Sequence, residues 1–180
     1  MSITATAKSL TIKIGKLWSS SEGTTEKFSM DAPVEFDPAD IIPRSNIVSD
    51  VLLVKLKGEI SVILSNASIK VHFRCEKCLK EYDATITIPS TEREFLSEQP
   101  EKIPDLDDVF LIDMKETSIN LHEMLRQEII LHFPLISVCS KSCKGLCEQC
   151  GTDLNRNTCG CVKEDPSHYR PFRNLKDILS

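Results

Sequence analysis

Hydrophobic and polar positions alternate along several stretches of the chain, and each such stretch predicts a strand. In residues 10–17, Leu10, Ile12 and Ile14 alternate with Thr11, Lys13 and Lys16. Residues 18–30 are rich in Ser, Thr and Gly and read as a turn or loop, and residues 37–43, bounded by Pro38 and Pro43, read as a connection. From Val51 the strand pattern returns. Val54, Leu56, Ile60, Val62 and Leu64 alternate with Lys55, Lys57, Glu59 and Ser61, with Gly58 marking a bulge or bend. Ile69, Val71 and Phe73 alternate with Lys70, His72 and Arg74 up to Cys75, and Tyr82, Ala84, Ile86 and Ile88 resume the pattern after Cys78. The Cys75-Glu76-Lys77-Cys78 segment is therefore expected at the tip of a hairpin.

The period changes later in the chain. Residues 109–112 are a short apolar run. Asn120 can cap a helix, with Glu123 as the reciprocal partner of a capping box. Leu121, Leu125 and Ile129 then fall on one helical face, and Pro134 ends the helix near His132 or Phe133. Residues 97–108 carry Pro100, Pro104 and several acids and are expected to be a loop. A closing helix is expected over 171–179, with Phe172, Leu175, Ile178 and Leu179 on one side. No internal repeat is evident. The expected fold is α+β: an antiparallel twisted β-sheet packed by the 120–133 helix, with a C-terminal zinc-ribbon-like segment. The expected division is a β-rich core over 1–135, a cysteine-rich zinc-binding segment over 136–163, and a closing helix over 164–180.

A chain of 180 residues suits one domain with a small appendage. No apolar run approaches the ~18 residues of a membrane span, and Lys8, Lys13 and Lys16 interrupt any apolar signal core near the N-terminus. A cytoplasmic, reducing location is expected. The net charge of -5 is unevenly spread. Residues 1–89 carry 11 basic and 11 acidic side chains, residues 90–128 carry 4 and 11, and residues 129–180 carry 7 and 5. This is not the uniformly basic profile of a stand-alone nucleic-acid binder, but it permits a local basic face beside the cysteines.

Cysteine supplies the specific chemistry. Cys139, Cys143, Cys147, Cys150, Cys159 and Cys161 crowd into 23 residues, apart from the Cys75/Cys78 pair. A C-x-x-C turn aims two sulfurs at one point, and Gly151 after Cys150 permits the turn that brings amides toward the thiolates. A disulfide framework is arithmetically possible with eight cysteines, but their clustering suits ligands better than staples. The preferred partition places Cys147, Cys150, Cys159 and Cys161 on one zinc. Turn-forming residues between Cys150 and Cys159 bring the second pair round to the first. Cys159-x-Cys161 is a tight bite, so Cys143 could replace one of them. Cys139 and Cys143 could join Cys75 and Cys78 in a second site that clips the C-terminal ribbon to the sheet. One zinc is expected and two are possible.

Catalytic patterns are lacking. His72, His122, His132 and His168 stand at no ligand spacing from the cysteines, so a closed structural site is favoured over an open catalytic one. The deaminase pair H-x-E with P-C-x-x-C is absent, as are a Gly-rich phosphate loop and G-x-S-x-G. Cys75-x-x-Cys78 lacks the strand-to-helix setting of a thioredoxin-like motif, which leaves a thiol redox protein as a minor alternative.

Three segments carry a family resemblance. They are Val71-x-Phe73-x-Cys75-x-x-Cys78-Leu79 and Glu128-Ile129-Ile130-Leu131 running to Phe133-Pro134-Leu135. The third is Cys143-Lys144-Gly145-Leu146-Cys147-x-x-Cys150-Gly151-x-x-Leu154-Asn155 with Cys159-x-Cys161. Together they resemble the large ribosomal RNA subunit accumulation proteins (the YceD-type family) over roughly residues 45–180. Ser167, His168 and Tyr169 depart from the residues usual after the Asp165-Pro166 step. The resemblance implies a non-enzymatic role in large-subunit rRNA accumulation or ribosome assembly. Some members lack the C-terminal cysteine cluster, which points to the Cys75/Cys78 hairpin and the helix ending at Pro134 as the shared part. The expected partner is large-subunit rRNA or a pre-ribosomal particle, with no membrane and no small-molecule substrate. Lys141, Lys144, Arg156, Lys163, Arg170 and Arg173 are the candidate phosphate contacts. The alternative is a zinc-ribbon adaptor to a protein such as a nuclease or ribosomal protein, for which the acidic 90–128 segment would suit a basic partner.

Overall fold

The computed structural model describes residues 6–37, 41–99 and 109–161. The closing helix expected over 171–179 lies outside them, as do most of the 97–108 loop and residues 38–40 of the expected connection.

Alternating burial builds a six-stranded sheet in the order β1-β3-β4-β5-β6-β7. Its members are β1 (Thr6–Ala7), β3 (Thr25–Ala32), β4 (Ile47–Leu56), β5 (Glu59–Arg74), β6 (Glu81–Leu96) and β7 (Phe110–Leu111). The four long strands pair antiparallel, while β1 on β3 and β7 on β6 are short parallel additions at the edges. A two-stranded sheet pairs β2 (Thr11–Lys13) with β8 (Ser118–Asn120). One apolar core runs along the inner sheet face, through Ile60, Val62, Leu64, Ile69 and Val71 of β5, and is closed by helix α2 (His122–Leu131). Leu121, Leu125 and Ile129, each 0% exposed, form the helix's buried face with Met124. The fold is α+β.

Local departures from the expected pattern have physical causes. The 10–17 strand stops at Lys13, because Ile14 and Leu17 are both buried from the single turn α1 (Gly15–Trp18), where they stand three apart. Residues 18–30 are not all loop: β3 pairs with β4 from Thr25 to Ala32 and buries Phe28, Met30 and Ala32 in strand alternation. The Ser/Thr/Gly-rich composition belongs to the turn before it. Gly58 lies in the tight turn that joins Leu56 to Glu59. The β4–β5 register slips near Ser65, where Asn66 takes φ 53 and its carboxamide donates to Asp50 at 3.0 Å. Asn tolerates this left-handed backbone better than most residues.

The α2 cap differs from a capping box. The Asn120 Oδ1 accepts from the His122 amide at 2.9 Å, while Glu123 turns to Arg126 and Gln127. Arg126 beside it holds the Glu123 carboxyl below its usual range. Glu128, 4% exposed, is paired by Arg93 of β6, so the one buried charge of α2 is neutralised.

Candidate metal centres

The β5–β6 hairpin ends in the six-residue turn 75–80. The Cys75 N–H donates to Lys80 O at 2.8 Å, and the Leu79 N–H donates to Cys75 O at 2.8 Å. The turn 147–152 repeats this pattern: Cys147 N–H to Thr152 O at 2.8 Å and Gly151 N–H to Cys147 O at 2.9 Å. In both, the residue after the second cysteine is left-handed, Leu79 at φ 61 and Gly151 at φ 72. Glycine takes this backbone freely and leucine at a cost of roughly 1–2 kcal/mol. The same geometry held against strain at Leu79 is a sign that the 75–80 turn is maintained by what it presents. Both turns present sulfur to amides. The Cys75 thiol faces the amides of Lys77 and Cys78, and the Cys147 thiol faces those of Gln149 and Cys150.

The chain beyond α2 carries further cysteines to the first turn. Phe73 stacks on Tyr82 at 5.8 Å and meets Phe133 edge-on at 5.1 Å, which seats the helix exit beside the hairpin. Glu76 and Ser137 then exchange two hydrogen bonds, N–H to O at 2.8 Å and N–H to Oε1 at 3.1 Å. Cys139 and Cys143 arrive over the turn, with Sγ–Sγ distances of 3.6 Å for Cys78–Cys139 and 3.8 Å for Cys75–Cys143. The sulfurs of Cys75, Cys78, Cys139 and Cys143 all lie within 4.8 Å of one another. They sit in a small second core with Tyr82, Val138 and Leu146.

The second group is Cys147, Cys150, Cys159 and Cys161, again within 4.8 Å of one another. Cys159 and Cys161 both belong to it, and Cys143 does not exchange with either. This group is more open, with Cys150 exposed and the other three half-buried. None of the eight cysteines is in a disulfide.

Either group can hold a metal ion. A tetrahedral centre with metal–sulfur bonds of about 2.3 Å has sulfur–sulfur edges of ~3.8 Å, which matches the contacts in the first group. The electrostatics agree. Burial raises the Cys75 thiol, but amides of Cys139, Cys78 and Lys77 outweigh it and bring it down to about 6. Burial, then proximity to the Cys78, Cys143 and Cys75 sulfurs, pushes Cys139 up to about 12. In the second group the Thr152 hydroxyl and amide bring Cys150 down to about 6, while Cys161 is driven up to about 12 first by the Cys150 sulfur. Each group thus ionises in part, and repulsion among sulfurs resists the last protons leaving. A dication at the centre removes that resistance.

The two groups abut. Gly145, at φ 78, lies so close to Lys77 that a Cβ on it would stand 3.0 Å from the Lys77 carbonyl oxygen. The Leu146 amide donates to that oxygen at 2.9 Å. Lys141, Lys144 and Arg156 are exposed in the segments that carry the cysteines, and Arg74, Lys77 and Lys80 are exposed in and beside the first turn. The last three escaped notice because charge was counted over long segments, although each lies within two residues of a cysteine. Arg156 reaches Asp153 at 3.6 Å, and Asn155, Arg156 and Lys80 all help hold that carboxyl below its usual range. Lys163, Arg170 and Arg173 lie outside the described residues, as does His168. The other histidines serve the scaffold: His72 Nδ1 meets Asp83 at 2.9 Å, His122 Nε2 meets Glu35 O at 2.7 Å, and His132 Nδ1 meets Glu128 O at 2.8 Å. Among the described residues no helix is long and apolar enough to cross a membrane.

Large ribosomal RNA subunit accumulation protein YCED homolog 1, chloroplastic, of Arabidopsis thaliana is 33% identical over 68 residues, which are 37% of this chain and 21% of the plant protein. The chain therefore spans about a fifth of that relative's length. No solved structure matches the chain. The family described as large ribosomal RNA subunit accumulation protein YceD matches residues 65–179, from the middle of β5 through both cysteine groups. On that match, which takes in well over half of its length, the chain belongs to the YceD family of large ribosomal RNA subunit accumulation proteins.

Proposed function

We propose that the protein is a non-enzymatic factor in large-subunit rRNA accumulation or ribosome assembly, held in shape by two structural zinc ions and acting in the reducing cytoplasm. The observation that carries the reading is the pair of closed four-thiol groups inside a family match whose name refers to large-subunit rRNA. Four sulfurs in each group leave no position for a reacting water, which suits a structural ion over a catalytic one. Cys75, Cys78, Cys139 and Cys143 would hold one zinc, and Cys147, Cys150, Cys159 and Cys161 the other. Zinc, when bound, supplies a cross-link without redox chemistry. We keep the division into a β-rich core over 1–135, a cysteine-rich zinc-binding segment over 136–163 and a closing helix over 164–180.

The partner on this reading is rRNA or a precursor particle. Lys141, Lys144 and Arg156 would meet phosphates, joined by Lys77 and Lys80 across the first turn, by Lys163 at the end of the cysteine-rich segment and by Arg170 and Arg173 beyond it. The test is binding of a large-subunit rRNA fragment across a salt series. Affinity should fall steeply with salt, and Lys144→Glu with Arg156→Glu should weaken it at every salt. A flat salt dependence, or no change in the double variant, refutes the contact surface.

A protein adaptor is the second reading. It is favoured by large apolar side chains left open at the end of α2 and just beyond it: Leu131 is 70% exposed and Ile136 61%. Capture of a ribosomal protein or nuclease by wild-type protein that shows no RNA affinity would select it.

A further inference from the structure

The two cysteine groups differ in what they are built from. The inner group joins segments more than 60 residues apart in sequence. Three of its cysteines are buried, at 0%, 6% and 8% exposure, against the aromatic end of the sheet. Its turn is held by β5 and β6, so the sheet brings two ligands to it ready-made. The outer group takes all its ligands from residues 147–161 and has no buried cysteine. Among the described residues its strand-like support is the isolated bridge between Leu146 and Asp153.

The outer group hangs from the inner one by few bonds. The Leu146 amide donates to Lys77 O at 2.9 Å, and the Leu154 amide donates to Gly145 O at 3.0 Å. Asn155 joins the two: its Oδ1 accepts from the Lys144 amide at 2.8 Å, and its Nδ2 donates to the Cys143 sulfur at 3.6 Å. Asn155 lies in the connector between Cys150 and Cys159, so a ligand of the inner group positions the loop that closes the outer one. Closing the inner group holds Cys143 and Lys144 in place, and with them the Asn155 loop that closes the outer one.

We infer that the two sites load in order: the inner four-thiol site is a retained clamp, and the outer site is an exchangeable metal site completed only when the inner one is closed. This rests on the reading of both groups as metal sites. Coupling between sites is reciprocal, so each ion strengthens the other by the same factor. The order comes instead from the intrinsic affinities, since the outer ligands must be ordered at the moment of binding while the sheet has already placed Cys75 and Cys78.

The test follows zinc stoichiometry of the full chain by native mass spectrometry during a timed EDTA challenge. Wild type should lose one zinc well before the other, so that a one-zinc species accumulates. Cys161→Ser should start with one zinc that leaves at the slower wild-type rate. Cys143→Ser should lose affinity at the outer site as well, by about tenfold or more, although all four outer ligands remain. Asn155→Ala keeps the ligands and guards against misfolding of the cysteine variants: it should carry two zincs and release the first several-fold faster than wild type. Loss of both ions in one step, or outer affinity unchanged in both Cys143→Ser and Asn155→Ala, overturns the ordered loading. Wild-type protein that binds no zinc overturns the metal reading itself.

Discussion

Replacing Gly145 with alanine tests how the two cysteine groups are joined. The residue sits at φ 78, and its new Cβ would meet the Lys77 carbonyl oxygen at 3.0 Å. Left-handed backbone costs a non-glycine residue roughly 1–2 kcal/mol. Pushing Lys77 away also weakens the Leu146 amide bond to its carbonyl, worth about 0.5–1.5 kcal/mol. The sum is about 1.5–3.5 kcal/mol, or about 10- to 300-fold in the affinity of the outer group for zinc. Gly151→Ala is the control. Gly151 has nearly the same φ, 72, but nothing lies within 4 Å of its Cβ position. It should lose only the backbone part, roughly 1–2 kcal/mol. The assay is zinc competition against a chromophoric chelator, with thermal melting of the sheet followed in parallel. Gly145→Ala should be the weaker binder of the two, with the sheet melting unchanged. Equal loss in both variants, or greater loss in Gly151→Ala, refutes the proposed docking on Lys77.

Other expectations follow from the core, the charges and the surface. Leu125→Ala, at a fully buried site under α2, should cost about 2–5 kcal/mol in urea unfolding while zinc content holds. Glu128→Ala removes the buried partner of Arg93, whose guanidinium is partly solvated, and should cost about 1–3 kcal/mol by the same measurement. The hydrogen bond from His72, with Arg44 nearby, holds the Asp83 carboxyl below its usual range. Its contribution is therefore present above the unfolded carboxylate pKa and fades as pH falls through the lower folded value. Urea midpoints from pH 7 to 3 should drop less steeply in Asp83→Asn, and an unchanged slope would discard the His72–Asp83 link. For RNA, Lys144→Ala should reduce the slope of log affinity against log salt by about 0.7–0.9 for the one phosphate contact removed.

Much of the sheet was legible because β5 buries one face, and a period of two survives in Ile60, Val62 and Leu64 and, beyond the slip at Asn66, in Ile69, Val71 and Phe73. Placing Cys75 and Cys78 at a hairpin tip needed only that pattern on either side. In β4 the expected face was the wrong one: Val51, Leu53 and Lys55 are buried and Val54 and Leu56 lie half-buried opposite them, because the Lys55 ammonium is seated over the Trp18 ring. β3 was obscured although Phe28, Met30 and Ala32 alternate, because the turn before it shares its Ser/Thr-rich composition. The end of β2 was misread because Ile14 and Leu17 serve a helical turn of only four residues, too short to show a period. The joining of Cys139 and Cys143 to the first turn depends on Phe133 packing on Phe73 and on the Glu76–Ser137 bonds. Those are long-range contacts that spacing alone suggests but does not determine. The link through Gly145, Lys77 and Asn155 carries no pattern at all, since it depends on a close approach of two turns far apart in sequence.

Sedimentation tests the central claim most directly. Tagged protein in lysate from its own host is run on a sucrose gradient at low and moderate salt, and fractions are probed for the protein and for large-subunit rRNA precursors. Co-migration with large-subunit precursor particles, and not with mature ribosomes, is the predicted result. Protein confined to the top of the gradient at both salts would contradict it.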